Sequence, residues 1–222
     1  SRCAPWQSSA RCMRVSTDPL SPTPTDTPLA DMPLLDHHCH GVTTETLDRS
    51  AFEALITESD WAAPAGTTHF DSQIGFAILR HCAPVLGLER FPSPDDYLAR
   101  RRELGGAEVN RRLLRATGIS DYPIEVGHRG DEILDPAGMA DAAAARAFEV
   151  VRLEQLAEEL VRGGCRADEF RAAFARELDD RLARAVGVKS IAAYRIGLDF
   201  AAGRPDDAGV DAAVDQWMRR HS

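Results

Sequence analysis

The chain has 222 residues, 44% of them apolar and 27% charged, with a net charge of −9. That length suffices for one sizeable core, and the acidic balance argues against a nucleic-acid partner or an anionic membrane surface. No apolar run approaches the ~18 residues that would span a bilayer, and five scattered cysteines show neither zinc-finger spacing nor a disulfide framework; the expected setting is cytoplasmic and reduced.

Residues 1–32 carry Pro19, Pro22, Pro24 and Pro28 with little periodicity, which disfavours a helix or central strand. They are expected to be a disordered or non-native leader, with Met13 or Met32 as alternative starts. The domain proper is expected over 33–222. Pro33–His38 opens it as a short apolar strand that turns polar. A helical insertion is expected over about 45–117: Asp48 caps a helix to Ile56, the stretch Thr67–Leu86 has helical spacing, and Ser93-Pro94-Asp95-Asp96 starts another helix. Gly118 ends the apolar stripe of Val109, Leu113 and Leu114.

A second strand is expected at Ile119–Val126, then an Ala-rich helix opened by Asp135-Pro136. Glu149–Glu154 reads as a third strand, although Leu153, Leu156 and Leu160 also suit a helix. After Gly163-Gly164 comes the clearest helix, with Phe170, Phe174, Leu178 and Leu182 on one face and Asp168 as its cap. Val186–Tyr194 reads as a fourth strand, and a last helix carries Val210, Val214, Trp217 and Met218. Strands alternating with helices imply an α/β fold with parallel pairing.

The chemistry-bearing motif is Asp36-His37-His38-Cys39-His40, an Asp-x-His-x-His at a strand end. Alternate residues of a strand share a face, so His38 and His40 should project together with Asp36, while His37 and Cys39 turn away. Two neutral imidazoles on one face can hold a divalent metal, with Asp36 as an outer partner or bridging charge. The alternative is a His-rich patch on a loop. Weaker candidates are Arg195 and Tyr194, which could hold a substrate carboxylate, with a structural ion pair the competing role for Arg195. Glu154 could face the mouth or form an outer salt bridge. His128-Arg129-Gly130-Asp131 could be a substrate loop or a solvated turn. His69 and His81 fall in the insertion, as lid contacts or as plain surface or core positions.

Val-Gly-Val-Lys-Ser-Ile-Ala-Ala-Tyr-Arg at 186–195, Val-Val-Arg-Leu-Glu at 150–154 and the Asp-x-His-x-His motif together resemble the amidohydrolase superfamily. Within it they resemble the amidohydrolase-related proteins akin to the N-terminal half of FluG, where the barrel is fused to a glutamine-synthetase-like domain. The resemblance covers about residues 33–222. It implies a distorted (β/α)8 TIM barrel of the metal-dependent hydrolase type, of which about the first four strands would be present. It maps the superfamily's metal-binding histidines onto His38 and His40. It makes Lys189, by position, the candidate for a carboxylated, metal-bridging lysine; a buried lysine paired with a carboxylate is the equal alternative.

The implied activity is hydrolysis of an amide or related C–N bond by a metal-activated water, with zinc as the expected cofactor. A small-molecule substrate bearing a carboxylate is expected, a glutamyl compound being the analogy, and Arg195 would position it. Decarboxylation or isomerisation of a carboxylic acid by the same histidines is the second reading. A non-catalytic truncated barrel or binding module is the third. Further ligands of the superfamily come from later strands, so the chain reads as a fragment, and the frame after Ser222 would separate an enzyme from a truncated product. Exposed strand edges in such a fragment imply self-association. Homo-oligomers and a fused or partnering glutamine-synthetase-like domain complete the expected partners.

Overall fold

The computed structural model describes residues 32–128, 132–199 and 203–221; the expected leader, Met32 aside, lies outside them, as do Arg129, Gly130 and Asp131. Residues 33–222 cluster as a unit of their own. Four parallel strands run in the order β1 (Leu34–Leu35), β2 (Ile119–Glu125), β3 (Arg146–Arg152) and β4 (Gly187–Lys189). The α/β class stands, but the expected (β/α)8 TIM barrel is corrected. Among the described residues the sheet is open, with β1 and β4 as its edges, and it does not close on itself. A closed barrel needs a return strand that pairs each edge, and the pairing ends at β1 and at β4.

Between β1 and β2 lies a helical layer with its own core, as the apolar spacing over 45–117 requires. It comprises α1 (Arg49–Leu55), α2 (Gln73–Ala77), α3 (Ala83–Val85), α4 (Pro94–Leu104) and α5 (Gly106–Arg115). Phe52, Phe70, Leu79, Leu86, Tyr97, Leu98 and Val109 fill its interior. Phe52 stacks on Phe70 at 5.5 Å between ring centroids, and both meet the edge of Tyr97. Asp48 caps α1 by accepting from Ala51 N, and Ser93 caps α4 by accepting from Asp96 N with Pro94 at the first helical position. The single helix expected over Thr67–Leu86 is instead a 3-10 turn (His69–Asp71), α2, a π-turn (Ile78–Cys82) and α3. Pro84 has no N–H to continue a helical ladder, and the ladder loosens just before it.

Beyond β2, Asp135 accepts from Gly138 N and starts α6 (Pro136–Ala143). β3 is followed directly by α7 (Leu153–Arg162), then α8 (Phe170–Leu182), β4, α9 (Ala192–Ile196) and α10 (Asp207–His221). The third strand therefore begins and ends earlier than its sequence suggests, and Leu153, Leu156 and Leu160 keep their helical spacing. Asp168 does not cap α8: it pairs with Arg166, and Glu169 holds the cap position without a side-chain bond. The fourth strand is three residues long, and Tyr194 and Arg195 lie on α9 rather than at a strand end.

The sheet's two faces differ. Tyr122 and Ile124 of β2 are buried against Met139 and Ala143 of α6, forming the second core. The alternate residues Pro123 and Glu125 look to the opposite face, where they line a cavity with Val150 of β3 and Val188 of β4. Parallel sheets are ordinarily covered on both faces. Here the edge-strand residues Leu34, Leu35 and Val188, and Val186 just before β4, are about half exposed.

Candidate active site

The carboxyl ends of all four strands meet at one edge. Asp36 to His40 leave β1, Glu125 ends β2, Arg152 ends β3 and Lys189 ends β4. Because the strands are parallel, each contributes its last polar residues at the same level.

The segment after β1 is not a continuing strand. The chain bends at His38, and pairing with β2 resumes only as a single bridge between Cys39 and Ile124, with Glu125 N donating to Cys39 O at 3.1 Å. The expected strict alternation is therefore broken. His37, His38 and Cys39 together line a cavity of about 200 Å³ with Pro123, Glu125, Val150, Val188 and Lys189. Asp36 braces the bend, its Oδ1 accepting from His38 N at 3.2 Å.

His38 Nε2 lies 3.2 Å from Lys189 Nζ. An ammonium only donates, so the imidazole turns a lone pair toward a positive charge. His40 sits deeper. Its Nδ1 is 3.0 Å from the backbone oxygen of Glu125 and 3.3 Å from the carboxylate Oε2 of the same residue. Its ring lies 5.0 Å from that of His128. Gly41 fixes the exit of the segment, since a Cβ there would collide with the carbonyl of Leu134. Thus His38, His40 and Lys189 all reach the carboxyl edge. Among the described residues, no three His, Cys, Asp or Glu side chains gather closely enough to hold a metal by themselves.

Cys39 points its Sγ to within 3.4 Å of Asp36 O and 3.5 Å of Pro123 O. Burial, with the Asp36 charge adding to it, pushes the thiol up to about 11 from 9.0, which disfavours the thiolate a metal would need. A raised thiol pKa means that this residue's contribution to stability is complete below pH 9 and declines as the pH rises toward about 11. Alkylation of Cys39 in the folded protein, followed by peptide mass mapping, should climb only as the pH nears about 11. Full modification at pH 8 without unfolding would contradict this.

Two site residues escaped the sequence reading. Glu125 is 3% exposed and pairs with Arg152, whose Nη2 lies 3.1 Å from Glu125 Oε2, while Nη1 donates to Gly127 O at 3.0 Å. Each is the last residue of its strand, and a charge closing an apolar strand was the available signal. Glu154, the residue considered instead, does not open on the mouth. It accepts from Ser190 Oγ and from Ile191 N, tying down the turn after Lys189. Burial acts to raise its carboxyl pKa, but Ser190 and the 191–192 amides outweigh that and leave it lowered. Arg195 and Tyr194 are exposed on α9, so the structure does not bring Arg195 into the cluster. His69 and His81 belong to the helical layer.

The comparisons add one relative. No protein-family profile matches the chain, and no curated protein does. Among solved structures, one protein from Lactobacillus casei ATCC 334, provisionally named a metal-dependent hydrolase, is similar. It is 25% identical, superimposes with a TM-score of 0.62 and covers 86% of this chain. The chain spans about half the length of that structure, 50% of it.

Proposed function

We propose that the chain carries part of the active centre of a metal-dependent hydrolase, with His38 and His40 as two of the metal ligands. The observation that carries this reading is that His38, beside Lys189, and His40, against Glu125, both lie at the carboxyl edge of a parallel sheet. The name of the Lactobacillus casei structure supports it. The donor chemistry fits a divalent ion: His38 already offers a lone pair to a cation, and His40 has its Nδ1 engaged, leaving Nε2 to bind.

A divalent ion held there, zinc in this proposal, would supply a water acidified to about pKa 7. The residues of this chain do the rest. His38 and His40 hold the ion in place, Asp36 keeps the bend that presents His38, and Glu154 fixes the turn that presents Lys189. Lys189, 3.2 Å from His38, would serve as a carboxylated metal ligand or would neutralise an anionic group of the substrate. We further propose an amide or related C–N bond as the target and membership of the amidohydrolase superfamily.

Dialysis of the protein against a strong chelator should abolish hydrolysis of a panel of γ-glutamyl amides, and zinc should restore it. Turnover that persists after the metal is removed would overturn the proposal.

A further inference from the structure

Glu125 lines the cavity and faces His40. Its carboxylate is 4% exposed, far below what a charged residue normally accepts without partners. Oε1 accepts from Gly127 N. Oε2 is fully buried and makes no aligned hydrogen bond, although it lies 3.1 Å from Arg152 Nη2 and 3.3 Å from His40 Nδ1. The backbone carbonyl of the same residue lies 3.0 Å from the same ring nitrogen. Two acceptors belonging to one residue therefore face His40 Nδ1. Neither a carbonyl nor a carboxylate can donate, so Nδ1 must carry a hydrogen, and in the neutral ring Nε2 then holds the lone pair.

The surroundings keep this arrangement in place. Gly127 has no room for a Cβ, which would meet Glu125 Oε1, Gln155 Oε1 and Arg152 Cδ. The Glu125 carboxylate is thereby held between Arg152 and His40. Glu125 N donates to Cys39 O, so the residue grips the His40 segment through both backbone and side chain.

We infer that Glu125 is a positioning residue: it locks His40 in the Nδ1–H tautomer and aims Nε2 at the mouth of the site, with Arg152 holding its carboxylate. An imidazole whose Nδ1–H is held by a carbonyl and lies against a carboxylate is oriented in advance and is a better metal ligand through its other nitrogen. The inference deepens the proposed function and rests on it only for the metal. The tautomer can be read in metal-free protein.

The test is the nitrogen-15 spectrum of His40, assigned by comparison with His40→Ala, in metal-free protein and in the isosteric Glu125→Gln variant. The parent protein should show a protonated Nδ1 and an unprotonated Nε2, and Glu125→Gln should shift the Nδ1 resonance by removing the charge beside it, the backbone carbonyl still accepting. In parallel, zinc affinity should fall by about 10–100-fold in Glu125→Gln. Arg152→Met controls for stability: it also breaks the buried pair and should lower the melting temperature, while His40 keeps its Nδ1 hydrogen because the backbone carbonyl of Glu125 still accepts it. A parent ring protonated on Nε2, or Glu125→Gln spectra identical to the parent, would overturn the inference. If the tautomer behaves as described and zinc fails to bind either protein, the positioning role stands and the metal-hydrolase reading falls.

Discussion

Exchanging His40 for alanine is expected to weaken zinc binding by more than about 100-fold, because loss of even an outer partner of a metal-bound imidazole costs about 10–100-fold. His38→Ala should do the same. The two variants should leave the fold nearly untouched, since His38 is exposed and His40 is only part-buried. The double variant should lose no more than either single one, because a site already deprived of one nitrogen ligand has little left to lose. His69→Ala is the internal control: that residue lies in the helical layer, away from the carboxyl edge, and zinc binding should be unchanged. Calorimetric titration decides. Equal affinity in the parent and both single variants would remove the two imidazoles from the site.

Ile124→Ala should cost about 2–5 kcal/mol of stability, the range for truncating a buried isoleucine when the cavity does not collapse. Ile124 is 0% exposed and packs in the core with Tyr122, Met139 and Ala143. It also forms the bridge to Cys39, and it precedes Glu125 on β2. Its truncation therefore acts twice: it opens a cavity between sheet and α6, and it thins the core against which Cys39 packs, the backbone bridge itself remaining. Ile124→Val should cost about 0.5–1.5 kcal/mol. Urea denaturation followed by circular dichroism reads both. A loss for Ile124→Ala within the ~0.5 kcal/mol typical of surface substitutions would mean that this core is not what fixes β2.

The parallel α/β class, the helical layer and the caps at Asp48, Ser93 and Asp135 were legible because they rest on local signals: apolar periodicity, and an oxygen-bearing side chain before a helix. Barrel closure was not, because it came from resemblance rather than from periodicity, and pairing across the sheet edges leaves no local mark. Strand ends were misplaced for a physical reason. At Arg152-Leu153 the same residues satisfy both periods, and the helix takes over with Leu156 buried; after Lys189 the strand ends where Glu154 accepts from Ser190 Oγ and Ile191 N. Of the candidate residues, His38 and His40 came from the motif and Lys189 from the resemblance, and all three lie at the carboxyl edge. Glu125 and Arg152 were missed because a buried ion pair is defined by two strands lying side by side, and neither sequence segment names the other. The alternation argument also failed at His38, where Asp36 caps a bend instead of extending a strand.

The account turns on whether one cation is shared by two imidazoles at the carboxyl edge of the sheet. Anomalous diffraction at the zinc edge, from crystals of the protein grown with zinc, tests it most directly. The account predicts a peak about 2.0–2.1 Å from Nε2 of both His38 and His40, with the Nδ1 of His40 still against Glu125. A peak elsewhere on the protein, or one held by neither ring, would contradict it.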